Sequence, residues 1–143
     1  MTAGPLWAGH ALGAPAPQGS KSVDRRGRMY EQNRRTRPWR REMVEAFIVG
    51  NAYYGRTEPI DEPVTVRATF YLPRPKRPRF NVPGVKPDTD KLQRNLGDAM
   101  QEAGVLSDDS RIVEWHVRKA YATTGEPGVW VEIHRHDPEE WTP

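Results

Sequence analysis

Hydrophobic and polar residues alternate most regularly over 64–72. Val64, Val66, Ala68, Phe70 and Leu72 fall on one side, Thr65, Arg67, Thr69 and Tyr71 on the other. A period of two marks a half-buried strand. It runs into Pro73-Arg74-Pro75-Lys76-Arg77-Pro78, where three of six residues lack a backbone donor, so the ladder stops and a basic loop follows. Over 90–103 the period becomes helical: Leu92, Leu96, Ala99, Met100 and Ala103 share a stripe, and Gly104 stands where a C-terminal glycine belongs. A second helix is predicted over 38–49, capped by Thr36 and stopped by Gly50-Asn51. Trp39, Met43, Ala46 and Phe47 lie on one face, with Arg40 and Arg41 on the solvent side. Residues 111–121, with Val113, Trp115 and Val117 on one face, and 129–134 read as further strands. The turn at 123–128 predicts that they form an antiparallel hairpin. Residues 6–12 give only a weak strand, interrupted by Gly9, and 20–35 shows no period and reads as a basic loop.

These elements predict an α+β fold: a single domain with a mixed sheet and two main helices. The expected divisions are a Pro/Gly/Ala-rich segment (1–20), the main domain (21–136) and an acidic tail (137–143). At 143 residues and a mean hydropathy of −0.85, the chain suits one domain with a modest core. It contains no apolar run of the roughly 20 residues that span a bilayer and no leader-like start. Without cysteine it has no disulfides, thiol nucleophile or Cys-based zinc site. A cytoplasmic location is expected.

Charge is unevenly distributed. Residues 21–41 carry a net +7 and residues 71–86 a net +5, while the rest of the chain carries −9. Two basic runs with Tyr30, Trp39, Tyr71 and Phe80 among them favour a polyanionic partner, since cations neutralise phosphates and rings pack on sugars or bases. Lys76, Arg77, Arg79, Lys86, Lys91, Arg40 and Arg41 are the candidate nucleic-acid-binding residues.

The acids gather around the 90–103 helix: Asp88 and Asp90 at its start, Asp98 within it, Asp108 and Asp109 after it. Each group alone has an ordinary explanation, as a helix cap or a polar turn. Taken together, crowded carboxylates repel unless a divalent cation neutralises them, and hard oxygen donors select Mg²⁺ or Mn²⁺. Such an ion beside basic loops is equipment for phosphodiester hydrolysis. Arg94 shares a helix face with Asp90 and could hold a phosphate, or pair with Asp90 or Asp98. The helix advances ~21 Å from Asp90 to Gly104 at ~1.5 Å per residue. Asp109 can therefore approach Asp90 within one chain only if the connection doubles straight back; otherwise the third ligand comes from a second subunit.

Lys86-Pro87-Asp88-Thr89-Asp90-Lys91-Leu92, then Asp98-Ala99-Met100, Glu102-Ala103-Gly104-Val105-Leu106 and Asp108-Asp109, resembles the RusA family of Holliday junction resolvases. The likeness is close over 86–119 and looser over 13–21. It implies a homodimeric, Mg²⁺-dependent endonuclease, often phage- or prophage-borne, that nicks four-way DNA junctions symmetrically in recombination and repair. The metal-binding aspartates it implies are Asp88, Asp90 and Asp109; Asp108, Asp98 and Lys119 are accessory candidates. The family's catalytic lysine falls on Arg94, which keeps the charge but cannot give up a proton. That departure keeps open a junction-binding protein impaired in catalysis, and a purely structural use of the acids is a third reading. Elsewhere, His134 and His136 read as a solvated strand end, His116 as an exposed sheet residue, and Trp115 and Trp130 as sheet packing.

Overall fold

The structure, a computed structural model, describes residues 4–18, 21–31 and 33–140. Residues 1–3, 19–20 and 141–143, at the ends of the expected terminal segments, and residue 32 lie outside the described residues. The elements are β1 (Trp7–Leu12), β2 (Lys21–Val23), β3 (Met29–Glu31), α1 (Thr36–Tyr53), β4 (Val64–Pro73), α2 (Thr89–Glu102), a 3-10 turn (Asp109–Arg111), β5 (Ile112–Ala122) and β6 (Gly128–Arg135). The main sheet has the order β1-β6-β4-β5. β4 is parallel to β5 and antiparallel to β6, and β1 is antiparallel to β6. The mixed sheet and two helices agree with the α+β expectation.

The expected β5–β6 hairpin does not form, because β4 lies between the two strands. The cause is α2. A helix joining two strands of one sheet carries the chain back to the starting edge and sets those strands parallel, so β4-α2-β5 is a crossover unit. Residues 123–127 then span the end of β4 to reach β6. On β5 a register shift opposite Val64/Thr65 turns Val113 outward, 54% exposed, while Ile112, Trp115 and Val117 pack on the core. Alternation read straight through Val113 therefore misplaces it.

Residues 21–31 form a small β2–β3 ribbon rather than a loop. The turn is closed by Asp24, whose carboxylate accepts from the Arg26 and Arg28 amides. Helix α1 is also longer than expected. Thr36 does not cap it; its hydroxyl donates to the Pro17 carbonyl at 2.6 Å. At the far end Gly50 lies within the helix, where a Cβ would come within 2.9 Å of Trp7 Cζ2. Asn51 Nδ2 donates to the Ala103 carbonyl, tying the end of α1 to the end of α2. Gly9 has the same explanation, since a Cβ there would meet Trp7 Cη2 at 2.4 Å. Both glycines make the slot for one indole, which meets Phe47 edge-on at 5.3 Å between ring centroids. β1 is thus a paired strand with a fully buried anchor.

The core lies between the sheet and the two helices, around Trp7, Trp39, Met43, Phe47, Phe70, Leu92, Leu96 and Met100, all fully buried. Among the described residues no helix covers the opposite sheet face, and Trp130 stands 44% exposed there, stacked with His10. Trp130 is therefore a surface ring and not the packing residue the pattern suggests. His116 pairs with Glu114, and His134 Nε2 lies 3.3 Å from Glu132 Oε2. His136 Nδ1 sits 3.0 Å from the Thr65 hydroxyl and 3.4 Å from Glu114 Oε1. No described helix is long and apolar enough to cross a membrane.

Candidate active site

Helix α2 organises the acidic side chains. Asp88 occupies its N-cap position with extended backbone (φ −72°, ψ 145°), yet its carboxylate makes no capping hydrogen bond. The capping hydrogen bond that ordinarily accounts for an aspartate at this place is therefore absent. Asp88 and Asp90 are exposed, and neither carboxylate has an ion pair or hydrogen-bond partner among the described residues.

The segment leading into Asp88, which contains a cis Lys86–Pro87 bond, is anchored from the sheet. Lys119 on β5 points to the helix side and donates to the Val85 carbonyl at 2.6 Å and the Pro87 carbonyl at 2.9 Å. One half-buried ammonium thus gathers the two carbonyls flanking Lys86.

The chain does double back after α2. Gly104 turns it in the left-handed region (φ +76°), Ile60 bridges Leu106, and the Asp109 amide donates to Gln101 Oε1 at 3.0 Å. Asp109 rests over Gly97: a Cβ on that glycine would lie 3.7 Å from Asp109 Cβ and 3.9 Å from its Oδ2. Gly97 follows Asp90 by seven residues, which places both on one side of α2 about 10 Å apart along the axis. Arg94 lies between them on that side. It is exposed and forms none of the helical pairs with Asp90 or Asp98 among the described residues.

The neighbouring acids have other tasks. Asp108 caps the 3-10 turn, accepting from the Ser110 amide and hydroxyl, and the hydroxyl bond holds its carboxyl below the ordinary range. Asp98 faces α1 and accepts from Gln18 Nε2 at 2.8 Å and Arg40 Nη2 at 3.3 Å. Arg40 also donates to Asn95 and Gln18 and lies 3.6 Å from Glu102. Its expected place on the open face is therefore corrected, because a half-buried guanidinium is held wherever carboxylates can satisfy its five donors. Arg41, Lys76, Arg77, Arg79 and Lys86 are exposed.

A cleft of about 460 Å³ opens beside Asp88, lined by residues 14–17, Asn33, Arg35, Lys86, Pro87 and Lys91. Asn33 and Arg35 come to it through the fold alone, with no marker in their local sequence. Asp61 also carries no marker in its local sequence; its carboxylate accepts from the Ser107 hydroxyl at 2.6 Å and Arg111 Nε at 2.8 Å. Those bonds, Ser107 first, lower its pKa and fasten the segment before β4 to the turn bearing Asp109.

Among the described residues, no three His, Cys, Asp or Glu side chains stand as a ready ligand group for a metal. The donors that suit a hard divalent cation are the exposed carboxylates of Asp88, Asp90 and Asp109, two at the head of α2 and one against its middle, all without a partner among the described residues.

A family model, endodeoxyribonuclease RusA, matches residues 13–134. The chain belongs to the RusA family. RusA proteins are endodeoxyribonucleases that resolve Holliday junctions and bind branched DNA, and they are generally dependent on a divalent metal. No curated protein matches the chain. The RusA match spans β2 through most of β6, including α2, the Asp109 turn and Lys119.

Proposed function

We propose that this RusA-family chain resolves four-way DNA junctions by Mg²⁺-dependent phosphodiester hydrolysis, with Asp88, Asp90 and Asp109 holding the ion. The observation that carries this reading is the side of α2 described above. Asp88 and Asp90 at the head of α2 and Asp109 against its middle are exposed carboxylates without partners among the described residues, and the exposed Arg94 lies between Asp90 and Asp109 along the helix. Like charges so arranged favour a neutralising cation. When bound, Mg²⁺ would activate a water and screen the phosphate.

The chain's own groups divide the remaining work. Arg94 holds a phosphate oxygen through its planar fork, and as a permanent cation it offsets charge without moving a proton. Lys119 fixes the backbone before Asp88. Lys76, Arg77, Arg79 and Lys86 meet the phosphates of the junction arms, with Arg41 on α1 as a further contact. A four-way junction presents two equivalent strands, so a two-fold homodimer supplies two equivalent sites. Arg94 in place of lysine favours one second reading, a protein that binds junctions without cutting them.

A synthetic four-way junction with Mg²⁺ separates these readings. The wild type should release symmetric nicked duplexes, and Asp90→Asn should bind without cutting. Binding without cleavage by both proteins selects the second reading, and indifference to the branch refutes both.

A further inference from the structure

The segment between β4 and α2 has a feature that phosphate binding does not use. Residues 73–87 contain five prolines, five cations and no acid, yet apolar side chains stand out among the charges. Phe80 is 46% exposed and Val82 60% exposed. Cations alone would suffice to hold a DNA backbone. An exposed ring in their midst is uncovered apolar surface that only an apolar occupant relieves.

The tip is also pre-shaped. Pro83 is buried, the Gly84 amide donates to the Val82 carbonyl at 2.8 Å, and Lys119 holds Val85 and Pro87 from below. One flank of the Phe80 ring lies against Gly84, where a Cβ would stand 3.4 Å from Cδ2, and the Arg79 guanidinium lies 5.1 Å from the ring centroid. The ring is thereby presented in a defined orientation, and little ordering remains to be done on binding.

We propose that Phe80, with Val82 beside it, contacts DNA bases unstacked at the branch point, making this tip a determinant of junction over duplex. The inference rests on the junction-resolving reading above. The occupant follows from the charge and from that reading: five cations recruit phosphates, and in DNA the apolar surface that comes with the phosphates is the face of a base. In intact duplex those faces are covered by their neighbours. At a branch some lose a stacking partner, and an aromatic or aliphatic wedge takes its place.

The test uses the full chain in Ca²⁺, with 2-aminopurine at the branch of a synthetic four-way junction and, separately, mid-duplex. Wild type should change the branch fluorescence and leave the duplex probe unchanged. Phe80→Ala should lose that change and weaken junction affinity about tenfold to a hundredfold, as expected from losing one base stack, with duplex affinity held. Phe80→Trp should restore both. Equal junction affinity and an equal fluorescence response from Phe80→Ala would overturn the proposal. So would a drop in oligomeric mass of Phe80→Ala on sedimentation, which would make the tip a subunit contact. Cleavage is not read here, so an inactive but junction-selective protein would sink the hydrolase reading and leave this one standing.

Discussion

The ammonium of Lys119 donates to the carbonyl of Pro87 at 2.9 Å, one residue before Asp88. A strand residue in the sheet thereby sets where an aspartate at the head of a helix begins. Lys119→Met removes the cation while keeping much of the stem, leaving the Val85 and Pro87 carbonyls without this donor. Junction cleavage should fall about a hundredfold, the usual cost of misplacing a catalytic group by an ångström. KM should change far less than kcat, because the cationic loop still meets the arms. A rise in KM with kcat intact would show instead that Lys119 acts in binding.

Gly97 lies under Asp109 with room for a single carbon, since the nearest atoms to an added Cβ are at 3.7–3.9 Å. Gly97→Ala should therefore raise stability by up to about 1 kcal/mol through helix propensity and keep the fold around Asp109. Gly97→Leu should push the Asp109 turn away and abolish cleavage while junction binding persists. Thermal melts and a junction assay on both variants check this; equal activity in the two would mean that the position of Asp109 does not matter.

Lys76 and Arg77 are exposed in the loop after β4. If each neutralises a phosphate, its change to Ala should lower the slope of log affinity against log salt by about 0.9. Affinity should weaken for junctions of every sequence alike. An unchanged slope would place these two cations away from the DNA.

Asp61 has its pKa lowered by the hydrogen bond from Ser107 and then by Arg111. A folded value below the unfolded one means that folding favours the ionised form. Its contribution is complete above the ordinary carboxylate pKa near 4 and is lost as pH falls through the lowered folded value. The difference in Tm between wild type and Asp61→Asn should be largest at neutral pH and vanish in acid. A difference that grows on acidification contradicts the assignment.

The sequence was most readable where one face of an element is buried and the other wet. β4 and α2 have that one-sidedness, and their periods place them to within a residue or two. The glycines misled for the opposite reason. Gly9 and Gly50 look like breaks in their own elements, but each is small because Trp7, distant from Gly50 in sequence, lies against it. Arg40 went astray similarly: its partners Gln18, Asn95 and Asp98 are brought together only by the packing of α1 on α2. At the site, residue type and spacing mark out the aspartates before any fold is known. The grip of Lys119 on the Asp88 segment and of Gln101 on the Asp109 amide depends on the crossover, which local pattern does not encode. The β5–β6 pairing failed on the same point, since a turn says where the chain reverses but not what slides between its arms.

The span that matches the family begins at residue 13, immediately after β1 ends at Leu12. A protein trimmed to that span would lack Trp7 and leave a hole between Gly9's former place and Phe47. It would also convert β6 from an interior strand into a bare rim with unsatisfied amides. Such a truncated protein should clump or pair rim to rim even with every acidic residue of the site intact. Residues 7–12 belong in any expressed version.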